Sequence, residues 1–423
     1  MIYIMYNYER YFPFNNFLIE RLIKLYDTPL QIYDINSMKE NATNFLEIFS
    51  RNLPGFKQFF AVKALPNPYI LKILTDLGMG LDCSSETELL LAQKIGISGD
   101  RVMFTSNFTS DKDLKLALDM GVIINLDDSS LINNLYSIYN KMPEKLFFRY
   151  NPGIGKTNSE TISNILGGPD AKFGMDSESI IDSIKQSSLL GTQEFGIHVM
   201  TGSNVTDINY WSELIDKIFE LVYLIKKSGF DINYINLGGG IGINYKTGIP
   251  IDLKSLAKNI SERVAFNTTN YNLITPIIYM ENGRFITGPY GYLLAKCNVV
   301  KKLYDKTFYG LDACMSNLMR PGMYNSYHHI SIFLKNNSIL KSANVVGTLC
   351  ENNDWFAKDR MLPVAEAGDI FIIWDTGAHA HSMGFQYNGK LRAPEIAIYD
   401  HTFLPIRRRE TFDDYISTII FNL

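Results

Sequence analysis

Lys63 stands where a buried strand stops. In "QFFAVKALPNP" the apolar run through Val62 gives way to an amine, then at once to Pro66 and Pro68, a turn signal. A lysine at a strand end is ordinarily a solvated surface residue. It is also what covalent work on a carbonyl compound requires. The other residues that end apolar runs bear on the choice. In chain order they are Asp82 with Glu86, Asn107, Arg149, His198 with Ser203, the run Gly238, Gly239 and Gly240, and Glu281 with Arg284. "LGGGIG" bares backbone N–H groups after a strand, which suits a phosphate, although a tight strand-to-helix turn would need the same glycines. It is not the spaced dinucleotide fingerprint, and no acidic residue follows at the usual distance. Ser203, after Gly202, could add a hydrogen bond to the same anion. Glu281 and Arg284 alone read equally well as a salt bridge. As a set, a lone lysine, a phosphate cradle and an acid able to face a pyridine nitrogen suggest pyridoxal 5'-phosphate. The lysine would form a Schiff base, the acid would keep the ring nitrogen protonated, and the ring would act as an electron sink.

The elements that must position these residues alternate. Apolar strand candidates are "FFAVKA", "GLDCSS", "RVMFTS", "VIINLD", "LFFRYN", "GIHVMTG", "YINLGGG" and "PIIYMENGR". Amphipathic stretches such as "PYILKILTDLGM" and "NYWSELIDKIFELVYLIKKSG" lie between them. That count predicts an α/β architecture, a (β/α)8 TIM-like barrel, over residues 37–286, with chemistry at the strand ends. An open doubly wound sheet is the competing reading. From residue 287 to 423 the strands "YGYLLAKCNVVKKLY", "HHISIFLK", "ANVVGTLC", "DIFIIWD" and "PEIAIYD" are separated by turns, which predicts an all-β domain of Greek-key barrel type. Residues 1–36 read as an extended segment that joins this domain.

Composition narrows the class. With 46% hydrophobic and 20% charged residues, the 423-residue chain is an ordinary globular one, long enough for two domains. A net charge of −4 argues against a nucleic-acid partner. No apolar run is long enough to cross a bilayer, and the N-terminus lacks the basic start of a signal peptide. Cys83, Cys297, Cys314 and Cys350 have neither metal nor redox spacing, which fits reduced thiols in the cytoplasm. "HAH", His379 to His381, has no neighbouring acid or cysteine, so no metal is expected.

Ordered motifs across nearly the whole chain resemble the barrel-type (fold-type III) pyridoxal-phosphate decarboxylases, most closely the diaminopimelate decarboxylases. "FFAVKALPNP" is similar to the family's Schiff-base motif and places that role on Lys63. "INLGGGIG" resembles its phosphate loop, and "MENGRFITGP" carries the pyridinium partner to Glu281. "DACMSNLMRPGMYNSYHH" resembles the substrate-carboxylate segment, giving Arg320 and Tyr324. "GTLCENNDWFAKDRMLP" resembles the cysteine motif, with Cys350 as proton donor and Glu351 as partner of a substrate amine. "MGFQYNGKLRAPEI" puts Tyr387 against cofactor and substrate. The resemblance implies catalytic Lys63, Cys350 and Glu281. It implies a cofactor site of Asp82, Arg149, His198, Met200, Ser203, Gly238, Gly239, Gly240, Glu281, Arg284 and Tyr387. It implies substrate contacts from Arg284, Arg320, Tyr324, Glu351 and Tyr387. The expected reaction is decarboxylation of meso-2,6-diaminopimelate to L-lysine by a homodimer with shared active sites.

The chain departs from the family at several points. Met200 stands where a second histidine usually stacks on the pyridine ring, and Asn282 replaces a proline. Asn352 and Asn353 replace Ser-Gly after Cys350 and Glu351. A thioether can still pack on an aromatic ring, but it donates no hydrogen bond. These changes keep open decarboxylation of an ornithine-like amino acid or of a carrier-bound acyl group. An amino acid racemase of similar architecture is a further alternative, opposed by the Cys350–Glu351 motif and the Arg320 segment. Retention of Lys63, Glu281 and Cys350 argues against an inactive homologue.

Overall fold

A computed structural model describes residues 10–157, 166–335, 339–400 and 402–420. The first nine residues of the expected 1–36 segment lie outside them. The chain divides into two compact units. One holds residues 39–242 and 251–286; the other holds the residues up to 38, residues 243–250 and those from 287 onward. The excursion at 243–250, inside the span expected for the barrel, belongs to the second unit.

The first unit is the closed parallel barrel. Its strands run in chain order through Lys57–Ala61, Gly80–Cys83, Val102–Thr105, Ile123–Leu126, Lys145–Arg149, Glu194–His198, Tyr234–Asn236 and Ile277–Met280, and the last pairs with the first. All eight sequence candidates are there. Helices start where side-chain oxygens can take the free N–H groups of a first turn. Ser85 caps Glu86–Lys94, Ser110 caps Asp111–Asp119, and Asn67 caps Pro68–Asp76, whose first position is a proline. Inside the barrel Phe59, Met103, Ile123, Phe147, Tyr234 and Tyr279 pack into one buried layer. Gly80 and Gly196 make room for it. A Cβ on either would come within 2.5 Å of the Phe59 ring or 2.4 Å of the Phe147 ring.

The second unit is a mixed nine-stranded sheet. Leu30–Asp34 lies between Gly291–Leu303, antiparallel, and Glu395–Tyr399, parallel. Alternate residues of Gly291–Leu303 enter two different cores: Leu293, Ala295 and Cys297 one, Tyr292 and Leu294 the other. That is period-two alternation in a strand covered on both faces. The expectation of an extended N-terminal segment that joins this sheet holds at Leu30–Asp34 and needs correction before it. Asn16–Tyr26 is a helix capped by Asn15, and it buries Leu18, Ile19 and Leu22. The spacing of those apolar residues is helical, and the cap fixes the start.

Candidate active site

The strand that carries Lys63 ends at Ala61, and the lysine sits in a short 3-10 turn, Val62–Ala64. Register does the rest. Ala61 pairs with Asp82 on the neighbouring strand, so the turn brings the amine over that carboxylate. Lys63 Nζ donates to Asp82 Oδ2 at 3.0 Å. The lysine side chain is 48% exposed, whereas Asp82 has no exposure at all. A half-exposed lysine side chain thus brings its amine onto a fully buried acid in the barrel mouth.

Charge in this mouth is unevenly distributed. Burial pushes the Asp82 carboxyl up, nearby Glu281 adds to the effect, and Lys63 offsets it only in part, leaving Asp82 at about 7. Burial alone would lower the Lys63 ammonium, but Asp82 and Glu281 outweigh it and hold the amine above its ordinary value. Glu281 goes the other way from Asp82. Burial opposes its ionisation, yet His198, Lys63 and Asn236 bring it below the usual carboxylate range. Its two oxygens are held separately: His198 Nε2 lies 3.0 Å from Oε2, and Asn236 Nδ2 donates to Oε1 at 2.7 Å.

A raised Asp82 has a consequence for stability. Between about pH 4 and 7 the folded state binds a proton there that the unfolded chain does not, so stability falls as pH rises through that window. The slope is at most about 1.4 kcal/mol per pH unit for one group. Urea unfolding of the cofactor-free protein should therefore show a midpoint that drops across this range, and Asp82→Asn should flatten it. An equally steep drop in Asp82→Asn would assign the effect elsewhere.

The glycine run is a close-approach site. Cβ atoms on Gly238, Gly239 and Gly240 would meet Val199 O at 2.2 Å, Glu281 O at 2.6 Å and Gly202 O at 2.7 Å, and Gly238 and Gly240 have φ of +65° and +107°. Only glycine fits such a backbone. Arg284 Nη2 donates to Ser203 Oγ at 3.3 Å, so a cation and a hydroxyl of the expected anion site are neighbours. Met200 leans on the same turn, its Sδ 3.3 Å from the Gly239 nitrogen. Arg149 is buried beside Asp127 at 3.4 Å, donates to Asn107 Oδ1 at 2.9 Å, and lies 4.4 Å from the Phe173 ring. The cradle, the Lys63 amine, the ionised Glu281 and the buried Asp82 Oδ1, which has no partner among the described residues, fit a phosphorylated pyridine aldehyde. Sequence reasoning missed Asn236 and Asp127. Asn236 stands two residues before the glycine run, a position that the motif itself could have flagged.

The remaining candidates lie in the second unit. Arg320 opens the short helix Arg320–Tyr324, with Pro321 in its first turn. Its buried guanidinium donates to His328 Nε2 at 2.7 Å and lies 4.5 Å from the Tyr245 ring. His328 Nδ1 donates to Trp374 O at 2.7 Å, which fixes the ring. Cys350 is exposed. Its amide donates to Asn388 Oδ1 at 2.7 Å, and the Tyr387 hydroxyl donates to its carbonyl at 3.5 Å. Glu351 is exposed and accepts from the Asn353 amide at 3.0 Å. Buried Asp354 ties this loop down by accepting from Met315 N at 2.6 Å and Leu349 N at 2.7 Å. The loop rests on the Arg320 helix so closely that a Cβ on Gly322 would stand 2.2 Å from Asn353 O. Cys350, Glu351, Tyr387 and the Arg320–Tyr324 helix are thus neighbours within one unit.

Known proteins resemble this chain along most of its length. Residues 39–288 match the model of the pyridoxal-dependent decarboxylase pyridoxal-binding domain. Protein TabA of Pseudomonas amygdali pv. tabaci is 37% identical over 97% of this chain and 94% of its own. The diaminopimelate decarboxylase of Methanothermobacter thermautotrophicus is 34% identical over 92% of this chain and 91% of its own. Among solved structures, diaminopimelate decarboxylase from M. jannaschii in co-complex with L-lysine superposes with a TM-score of 0.87 at 29% identity, covering 95% of this chain and 94% of that one. No helix among the described residues is long and apolar enough to cross a membrane. A lysine at the barrel mouth, a glycine cradle and a carboxylate held ionised are what a pyridoxal enzyme needs, and with a family match over more than half its length this chain belongs to the pyridoxal-dependent decarboxylases, with pyridoxal 5'-phosphate as its cofactor.

Proposed function

We propose that the protein decarboxylates meso-2,6-diaminopimelate to L-lysine. The observation that carries the chemistry is Lys63 Nζ resting on Asp82 in the same barrel mouth as the glycine cradle and Glu281. Support for the substrate comes from diaminopimelate decarboxylases that match this chain along both units.

In this reading Lys63 holds the cofactor through its amine. Gly238, Gly239, Gly240, Ser203 and Arg284 hold its phosphate. Glu281 would partner its ring nitrogen, and Met200, Asp82, Arg149 and His198 would complete the shell. When bound, the cofactor supplies an electron sink for the carbanion left by loss of carbon dioxide. Arg320 and Tyr324 clamp the substrate's distal carboxylate, and a guanidinium fork suits that group. Glu351 accepts from the distal amine, Tyr387 lines the same site, and Cys350 delivers a proton to the carbon that lost carbon dioxide. The exposed Cys350 and Glu351 support a homodimer in which the cysteine loop serves the partner's site. Four unpaired cysteines support a reducing, cytoplasmic setting.

The test is to incubate holoprotein with meso-diaminopimelate, ornithine, lysine and arginine, and to measure carbon dioxide and amine products. Diaminopimelate should be strongly preferred, and preference for ornithine would overturn the reading. Arg320→Ala, which removes a buried guanidinium, should lower kcat/KM for diaminopimelate by an amount equivalent to about 2–5 kcal/mol, the cost of removing one partner of a buried charged contact, and Glu351→Ala should lower it too. A loss of under twofold would exclude the residue from the substrate site. Met200, and the greater identity to TabA than to the diaminopimelate decarboxylase of M. thermautotrophicus, favour a second reading: decarboxylation of a different amino acid on the same machinery. The same substrate panel separates the two.

A further inference from the structure

His198 reads from the sequence as a cofactor contact, but its ring addresses a protein group. The imidazole is wholly buried, and Nε2 is 3.0 Å from Glu281 Oε2. Register explains how two donors converge on that carboxylate. His198 and Asn236 are paired residues on adjacent strands, and Asn236 Nδ2 takes the other oxygen at 2.7 Å. A carboxylate only accepts, so the imidazole presents Nε2–H to it. A protonated Glu281 could keep both contacts only by donating its O–H to Nε2, which would place the imidazole proton on buried Nδ1, where no described residue accepts it. The pair of contacts therefore selects the anion and fixes its plane. Among the described residues His198 Nδ1 has no hydrogen-bond partner, so none of them competes through the second ring nitrogen for the orientation of the imidazole. The charged groups that also act on Glu281 or its immediate partners are Lys63, Asp82, Arg149 and, through His198, Asp127.

We propose that His198 is a positioning residue that, with Asn236, holds Glu281 as an oriented anion, so that Glu281 can keep a proton on the cofactor's ring nitrogen. This rests on the reading of Glu281 given above.

Two measurements test it. In cofactor-free protein carrying 13C at the glutamate carboxyls, the Glu281 signal should stay ionised at mildly acidic pH. In His198→Phe its titration midpoint should rise by about one pH unit or more, the size of effect expected when a hydrogen-bonded partner is lost from a buried carboxylate. His198→Gln, which can still present an N–H, should restore most of the difference. In holoprotein loaded with cofactor labelled with 15N in the ring, the nitrogen should be protonated at neutral pH in the wild type and lose part of that protonation in His198→Phe. An unchanged Glu281 midpoint in a folded His198→Phe protein would overturn the role of His198. If that variant does not fold, His198→Asn, smaller and too short to span to Glu281, replaces it under the same criterion. The ring-nitrogen signal of Glu281→Gln separates the premise: if it equals the wild type, the reading of Glu281 has failed, whatever His198 does.

Discussion

Lys63→Ala protein is expected to fold, to bind pyridoxal 5'-phosphate without a covalent link, and to lose at least about 10³-fold in kcat, the scale on which removal of a nucleophile or base is felt. The fold should survive because the side chain is half exposed in the barrel mouth, so truncation leaves no buried apolar void. Its buried partner Asp82 loses a cation but need not remain charged, since it already holds its proton up to about 7. Removing Lys63 pushes it further toward the neutral acid. Borohydride reduction of the wild type followed by peptide mapping should place the cofactor on Lys63. An adduct on another lysine would dismiss the assignment and most of the site with it.

Mixing two inactive proteins should regenerate activity. Lys63 belongs to the barrel unit and Cys350 to the sheet unit, and in the proposed homodimer the cysteine loop of one subunit completes the other's site. An isologous twofold makes the two sites equivalent. Lys63→Ala and Cys350→Ala subunits, each nearly inactive alone, form mixed dimers in about half of random pairings. In a mixed dimer one site carries both lesions and the other neither. The mixture should thus reach roughly 25% of wild-type activity by the same symmetry. If both residues came from one subunit, every site would keep a lesion. No recovery after confirmed subunit exchange would exclude the shared site.

What the sequence made legible was local. Lys63 stood out because an amine followed by two prolines interrupts an apolar run, and Gly238 to Gly240 because three bare backbone units after a strand suit an anion as well as a tight turn. Contacts set by register were not legible. That Lys63 meets Asp82 depends on Ala61 pairing with Asp82, and that His198 and Asn236 share Glu281 depends on their pairing across strands. Neither spacing nor residue type encodes those alignments. The helix Asn16–Tyr26 was legible and went unread, since Leu18, Ile19 and Leu22 follow an asparagine cap at helical spacing. Exposure of Cys350 was not legible, because an isolated cysteine is most often a small buried hydrophobe. The same lack of long-range signal hid the return of residues 243–250 to the sheet unit.

The position of Leu30–Asp34 in the sheet has a consequence during synthesis. Gln31 pairs with Glu395 on one side and with Leu293 on the other. Neither neighbour exists when this apolar strand leaves the ribosome. At about 5–20 residues per second, the gap to residue 395 takes roughly 20–70 s to translate. Through that interval a fully buried strand of the finished protein waits without its partners, exposing unpaired backbone and apolar side chains of the kind that invite aggregation. Translation speed and chaperone supply, more than final stability, should then set the soluble yield of this chain.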